Sequence, residues 1–185
     1  MSYTGLDHFI ARMRYRAAYP HIRQGSRVCD LGCGLEAAFL SYAADKIAEG
    51  VGVDDQVNLV KQGRWKRIRA DLYSPVPLPD GQFDHVVMLA VLEHLRNLPQ
   101  VFREAHRLLA PGGTLILTWP SGAVDPLLAV LHGLHLVSDE MESDEHQKRL
   151  SVAKLQEILR GTGFQKFLHR RFELGLNNLM VATRS

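Results

Sequence analysis

The sequence predicts a single α/β domain, spanning residues 1–185, whose mostly parallel sheet is covered by helices on both faces. Two observations support this fold class. Short apolar segments alternate with segments of helical periodicity, as in a doubly wound sheet. The 185 residues, 46% of them hydrophobic and 23% charged, are enough for one domain with an ordinary core.

The elements are predicted in chain order from apolar spacing and turn residues. The first is a helix over residues 6–18, which lies within an N-terminal cap of residues 1–24. Further helices are predicted over residues 36–48, 98–109 and 152–160. Asn97 is expected to cap the second of these, and Pro111-Gly112-Gly113 to end it. Strands are predicted over residues 27–31, 51–54, 65–69, 83–89, 114–118, 164–172 and 177–183, the last two as a hairpin.

Composition and charge exclude several classes of protein. The net charge of +2 is too small and too mixed for a dedicated nucleic-acid binder. The first residues have no apolar run behind a basic stub, and no stretch approaches about 18 apolar residues, so we expect a cytoplasmic protein without a membrane span. Cys29 and Cys33 have no second pair to complete a zinc site, so we expect reduced thiols and no metal.

A glycine turn, Gly32-Cys33-Gly34, follows the first predicted strand. In a doubly wound fold ligands bind beyond the carboxyl ends of the strands, and glycines let the backbone approach them closely. The turn alone does not identify the ligand, because Gly32, Gly34 and Ala37 also satisfy the relaxed dinucleotide pattern G-x-G-x-x-A. Asp54, about twenty residues further on, suits the hydroxyls of a ribose in either case.

Two further carboxylates favour a ligand that has an ammonium group and an adenine. Asp30, at the tip of the first strand, would repel a pyrophosphate but can bind the ammonium of an amino-acid ligand. Asp71, after the third strand, could accept a hydrogen bond from the exocyclic amine of an adenine.

In their order and spacing, six segments resemble the motifs of class I S-adenosylmethionine-dependent methyltransferases, most of all the single-domain, type 11-like branch that acts on small molecules. The segments are residues 28–34, 52–54, 70–72, 83–87, 91–95 and 109–113. The resemblance covers residues 27–119 and implies a Rossmann-like sheet of seven strands with an antiparallel last strand. It also implies that residues 119–150 form a variable insertion on the acceptor side, where His132 and His135 could line a pocket with Trp119 as a wall.

The resemblance implies S-adenosylmethionine as the cofactor and assigns residues to it. Asp30 and the glycine turn would line its methionine end, Asp54 would hold the ribose, and Asp71 with Leu72 would hold the adenine. The backbone at Ala90 would face the cofactor. The expected cofactor site comprises Asp30, Gly32, Cys33, Gly34, Asp54, Asp55, Asp71, Leu72 and Ala90.

One residue departs from the family pattern, because Glu36 stands where a third glycine is common. Either Glu36 favours the start of the following helix through the helix dipole, or its charge disturbs cofactor binding. We expect the first effect.

Methyl transfer depends mainly on positioning, so the absence of a recognisable catalytic motif does not exclude it. The sequence lacks the Asn/Asp-Pro-Pro-aromatic element associated with planar amino acceptors, which favours oxygen or carbon of a small molecule. His94 is the candidate general base, although it could equally be a packing histidine. A monomer or a homodimer is expected.

Two other functions remain open from the sequence. A protein that binds S-adenosylmethionine without catalysis would explain Glu36 and the absence of a clear base. An NAD-dependent oxidoreductase would share the sheet and the glycine turn, but Asp30 and Asp71 argue against it.

Overall fold

The computed structural model describes residues 5–121 and 150–185 of the chain. These residues form one eight-stranded sheet with the order β3-β4-β2-β1-β5-β6-β8-β7. The strands are β1 Ser26–Leu31, β2 Ile47–Asp54, β3 Val60–Gln62, β4 Trp65–Arg69, β5 Phe83–Leu89, β6 Leu109–Pro120, β7 Phe164–Phe172 and β8 Asn177–Arg184. The helices are α1 Gly5–Ala18, α2 Ala38–Tyr42, α3 Leu98–Leu108 and α4 Val152–Gly161.

The direction of the strands confirms the predicted doubly wound fold. Strands β4, β2, β1, β5 and β6 are parallel to their neighbours in that order. Strand β8 is antiparallel to both β6 and β7, as expected for the last strand. The carboxyl ends of the parallel strands therefore meet at one edge of the sheet, where a ligand site is expected.

Helices cover both faces of the sheet because its strands are apolar on both sides. On one face, Cys29 of β1 packs in a cluster with Phe102 of α3 and Leu155 of α4. On the other face, Val28 belongs to a cluster that includes Phe39 of α2. Neighbouring residues of β1 thus point into two different cores, which is typical of a parallel sheet buried on both faces.

The described residues form eight strands, whereas seven strands were predicted. The additional strand, β3, pairs antiparallel with β4 at the edge of the sheet, through a hairpin turn that contains Gly63 at φ +57°. Its Lys61 and Gln62 are exposed, so β3 has no apolar alternation from which it could be predicted.

The helix predicted over residues 36–48 is wrong in extent, because α2 has only five residues and β2 already begins at Ile47. Ala37 adopts left-handed φ and ψ of 46° before the helix. Ile47 is fully buried opposite Ser26 of β1. Pairing with β1 therefore outweighs the helix propensity of the alanine-rich segment.

Helix α3 begins as predicted and ends earlier. The Asn97 side chain accepts a hydrogen bond from the backbone N–H of Gln100, which caps the helix, and Pro99 lies in the first turn. The chain enters β6 at Leu109, before the Pro-Gly-Gly turn. That turn is accommodated as an irregularity in the pairing with β5, between Phe83 and His85.

An arginine clamp holds the proline-rich loop after β4 against α3. The Arg107 guanidinium donates to the carbonyl oxygens of Val76 at 3.0 Å and Leu78 at 2.9 Å, and it pairs with Glu104 and Asp80. Glu104 also accepts from the backbone N–H of Val76 at 2.8 Å. This loop includes the segment that follows Asp71, so the clamp fixes one border of the expected ligand site.

Within the described residues, no helix is both long and apolar enough to span a bilayer. The part of the predicted insertion between residues 122 and 149, with His132 and His135, lies outside the described residues.

Candidate cofactor and acceptor site

The glycine turn lies at the carboxyl edge of the sheet, and its two glycines have different surroundings. Gly32 and Gly34 have φ values of +78° and +67°, in the region that favours glycine. A Cβ at Gly32 would lie 2.6 Å from Cγ2 of Val91, whereas a Cβ at Gly34 would have no other atom within 4 Å. Packing therefore requires Gly32, and the space beside Gly34 is open to a ligand.

Cys33, between the two glycines, is a packing residue. Its Sγ lies so close to Gly52 of β2 that a Cβ there would be 2.7 Å away. Burial raises the pKa of its thiol, which keeps the sulfur protonated. The backbone N–H groups of Gly32 and Cys33 both donate to the carbonyl oxygen of Val53, at 2.8 and 3.2 Å. The side chain and these bonds fix the turn against the end of β2.

Asp54 ends β2, and both of its carboxylate oxygens are held by the backbone. Oδ2 accepts from the N–H of Gly34 at 2.9 Å, and Oδ1 accepts from the N–H of Gln56 at 3.0 Å. Each carboxylate oxygen can accept a second hydrogen bond, so a diol can still bind here. The neighbouring Asp55 is exposed and has no hydrogen bond within the described residues.

Asp30 is a buried acid, with 3% of its surface exposed, at the end of β1. No group in the described parts of the chain donates a hydrogen bond to its carboxylate. Burial, and to a smaller extent the charge of Asp54, raises its pKa to about 7. A carboxyl group with these surroundings gains most from a ligand that brings a positive charge.

Asp71 and Leu72 lie at the third acidic strand end, close to Asp54. The backbone N–H of Ala70 donates to the carbonyl oxygen of Asp54 at 3.2 Å, which joins the two loops. The exposed Asp71 carboxylate accepts from the backbone N–H of Tyr73 at 3.0 Å, while Leu72 packs against the core. An apolar surface beside a carboxylate suits an adenine ring with its amine.

The turn after β5 contains Ala90 and His94. Ala90 has φ +56°, and its N–H donates to the backbone and side-chain oxygens of Thr118 at 3.0 and 3.2 Å. Only its carbonyl is therefore free to face a ligand. His94 is exposed, and its ring makes no hydrogen bond to any residue of the described ranges.

Glu36 is exposed and precedes α2 by two residues, so the first turn of that helix contains no acid. The expectation that Glu36 supports the helix start is therefore wrong, because the helix begins later than predicted.

The amino-acid sequence matches the family described as Methyltransferase domain over residues 4–168. This chain belongs to that family. Within it, the methyltransferase domain is 33% identical over 105 residues to the demethylmenaquinone methyltransferase of Listeria monocytogenes, over 51% of this chain and 44% of that protein. It is 30% identical over 159 residues to a Mycolicibacterium smegmatis protein named "Probable S-adenosylmethionine-dependent methyltransferase", over 78% of this chain and 54% of that protein. The domain thus spans about half the length of these curated relatives.

Solved structures confirm the fold of the methyltransferase domain. An S-adenosylmethionine-dependent methyltransferase from Mesorhizobium loti superposes with a TM-score of 0.67 at 20% identity, covering 92% of this chain and 95% of that chain. A chain solved in complex with the Trm112 methyltransferase activator of Haloferax volcanii superposes with a TM-score of 0.72 at 16% identity, covering 96% and 90%.

The family identity agrees with the sequence-based assignment of S-adenosylmethionine as the cofactor, and the described residues fit it. The open space at Gly34, the buried carboxyl of Asp30 and the oriented carboxylate of Asp54 lie at one edge of the sheet. A methyltransferase domain with these groups argues against the NAD-dependent alternative.

Sequence reasoning missed four polar side chains at the same edge: Arg14, Glu93, Glu173 and Asn177. Each has a buried atom without a hydrogen-bond partner among the described residues. Of the four, only Glu93 had a signal in the sequence, because it lies beside His94 in a matched motif.

Proposed function

We propose that this methyltransferase domain transfers a methyl group from S-adenosylmethionine to a small-molecule acceptor, with oxygen or carbon as the favoured atom. The observation that carries the proposal is Asp30, a buried carboxyl group without a hydrogen-bond donor, next to the open glycine turn. Its surroundings favour an ammonium ligand over a pyrophosphate.

Positioning is the main contribution of the chain to this reaction. Asp30 would bind the ammonium of the methionine end, Asp54 the ribose hydroxyls, and Asp71 with Leu72 the adenine. Holding two reactants in line contributes roughly 7–11 kcal/mol to lowering a barrier.

When bound, S-adenosylmethionine would supply a methyl group on a sulfonium, whose carbon–sulfur bond would break, leaving its electron pair on sulfur, as the acceptor lone pair forms the new bond. A hydroxyl acceptor must also lose its proton, for which a ring nitrogen of His94 is the candidate acceptor. His94 is accessible to solvent, which allows the proton to leave afterwards.

We also propose a compartment, an acceptor class and an oligomeric state for this domain. Both cysteines are free thiols, which supports a reducing compartment such as the cytoplasm. The small net charge of +2 favours a small acceptor over nucleic acid, and a monomer or homodimer is expected.

Calorimetry with S-adenosylhomocysteine tests cofactor binding, and release of S-adenosylhomocysteine from S-adenosylmethionine with an acceptor panel tests turnover. Binding with turnover supports the proposal. Binding without any turnover favours the non-catalytic alternative, and absence of binding contradicts both.

A further inference from the structure

A group of four polar side chains, which we name the polar cluster, lies at the carboxyl edge of the sheet beside the expected cofactor residues. It consists of Arg14 on α1, Glu93 after β5, Glu173 between β7 and β8, and Asn177 at the start of β8. Asn177 pairs with the last residue of β6, and the turn that carries Glu93 is bonded to the same strand through Ala90. Elements far apart in sequence therefore bring the cluster together.

One hydrogen bond and the charge of Arg14 connect the members of the polar cluster. The Asn177 amide Nδ2 donates to Oε2 of Glu173. Burial raises the pKa of Glu93 and of Glu173, and in both cases the nearby Arg14 guanidinium opposes this shift. Arg14 therefore lies within electrostatic range of both carboxyl groups.

The polar cluster is incompletely bonded. Four of its buried atoms have no hydrogen-bond partner in the described ranges: Nε of Arg14, Oε2 of Glu93, Oε1 of Glu173 and Oδ1 of Asn177. Asn177 is only 5% exposed, so bulk water does not readily replace the missing partner. Buried polar groups are nearly always paired in folded proteins, so these four atoms are available to a ligand or to ordered water.

The backbone that carries Glu173 is strained. Glu173 and Leu174 have φ values of +52° and +54°, a conformation that is costly for residues other than glycine. Ser121 holds this turn, because its N–H donates to the carbonyl oxygen of Leu176 at 2.7 Å and its hydroxyl donates to that of Gly175 at 2.5 Å. The fold thus maintains an unfavourable turn that directs a carboxyl group into the cluster.

We propose that the polar cluster is the acceptor site, and that it takes a small molecule which presents N–H or O–H donors and carries no net negative charge. This inference rests on the proposed function. Three of the four unpaired atoms are acceptor oxygens, so only a ligand with donors can satisfy them. The cluster holds two carboxyl groups against the guanidinium of Arg14, with His94 acting on Glu93 from beside it, so a neutral or cationic ligand is favoured over an anion.

Ligand-observed NMR with the full chain and S-adenosylhomocysteine tests the proposal on three matched probes. These are 3,4-dihydroxybenzylamine, 3,4-dihydroxybenzyl alcohol and 3,4-dihydroxybenzoate. We expect the amine or the alcohol to bind about fivefold or more tightly than the benzoate. Whichever of the two binds more tightly shows whether the site prefers an N–H or an O–H donor. Equal or tighter binding of the benzoate, or no binding of the amine and the alcohol, would overturn the proposal.

Two isosteric variants test the assignment to these residues. Glu93→Gln and Glu173→Gln should each weaken binding of the preferred probe about fivefold or more. Each change replaces one acceptor oxygen of the carboxyl group with an amide donor, which cannot pair with a donor of the ligand. The control is Glu157→Gln, an exposed carboxylate on α4, which should leave binding unchanged. Equal binding to all three variants and the wild type would overturn the assignment.

The comparison of probes on the wild type does not depend on whether the variants fold. A separate titration with S-adenosylhomocysteine distinguishes failure of the acceptor site from failure of the proposed function. If S-adenosylhomocysteine binds and the probes are not discriminated, only the acceptor site is wrong. If S-adenosylhomocysteine does not bind, the proposed function fails.

Discussion

The Asp54 carboxylate, at the end of β2, accepts a hydrogen bond of 2.9 Å from the backbone N–H of Gly34, in the turn after β1. The acid expected to hold the ribose and the glycine expected to admit the cofactor are therefore coupled before any ligand binds. Preorganisation of this kind reduces the loss of conformational entropy on binding.

Replacing Asp54 with alanine should weaken binding of S-adenosylhomocysteine about tenfold or more, because the ribose hydroxyls and the Gly34 N–H both lose an acceptor. Calorimetry on the wild type and the variant measures this. Glu157→Ala, a change to an exposed residue of α4, is the control and should bind as the wild type does. Equal affinity of the Asp54 variant and the wild type would remove Asp54 from the site.

The two glycines of the turn should respond differently to alanine. Gly34→Ala should abolish cofactor binding while costing roughly 1–2 kcal/mol of stability, because its φ is positive but its Cβ would enter open space. Gly32→Ala should destabilise the fold itself, since its Cβ would meet Val91. Gly32→Val would therefore not separate loss of binding from loss of the fold.

Gly112→Ala is a matched control for Gly34→Ala, because Gly112 has φ +72° and its Cβ would also meet nothing within 4 Å. Melting temperature should fall by a similar amount in both variants. Affinity for S-adenosylhomocysteine should be lost only at position 34, and retained affinity there would show that the turn serves chain reversal alone.

Binding of S-adenosylhomocysteine should strengthen by about an order of magnitude between pH 5.5 and 7, because the pKa of Asp30 is raised to about 7 and its ionised form binds the ammonium. Asp30→Asn should bind weakly and show a flatter pH profile. A wild-type affinity that does not vary over this range would mean that Asp30 does not pair with the ammonium.

Asp30 should also affect stability, with the opposite dependence on pH. Its pKa is raised in the folded state, so the stability that the neutral form contributes is complete below about pH 4 and is lost as pH rises through about 7. Asp30→Asn should therefore raise the free energy of unfolding at pH 8 by up to about 4 kcal/mol, and by little at pH 4. Urea denaturation at both values measures the difference, and an equal effect at both would contradict the assignment.

His85, buried near the start of β5, should destabilise the domain in acid. Its Nε2 accepts from the backbone N–H of Arg23 at 3.2 Å, so the proton is on Nδ1, which donates to Oγ1 of Thr114 at 2.7 Å. Burial, assisted by the charge of Arg23, lowers its pKa to about 4. The unfolded chain takes up the proton first, so stability is complete above about pH 6.5 and falls by about 3 kcal/mol down to pH 4.

Replacing His85 with glutamine should remove most of this acid sensitivity. Urea denaturation of both proteins at pH 7 and 4.5 separates the His85 effect from acid effects common to both. An unchanged difference between the two pH values in the variant would show that another group is responsible.

The sequence predicts most of the fold where elements have strong local patterns. The bounds of β5 and β7 are as predicted, because runs of apolar or alternating residues are enclosed by clear turns. Helix α2 could not be predicted correctly, since the alanine-rich segment is locally helical and only pairing with β1 draws Ile47 into the sheet. The short edge strand β3 has no apolar pattern at all.

The residues of the candidate site also differ in whether the sequence could predict them. Asp30, Asp54 and Asp71 were predictable because each follows a strand, and the ends of parallel strands meet at one edge. Glu173 and Asn177 were not, because they become neighbours of Arg14 only after β8 has inserted between β6 and β7.

The arginine clamp orders the loop after β4 before any ligand binds. The Arg107 guanidinium binds two carbonyl oxygens of that loop, so the segment beside Asp71 acquires its shape when α3 docks on the sheet. The segment therefore loses its conformational entropy during folding. Binding of a nucleoside does not have to order this part of the site again, which lowers the entropic cost of binding.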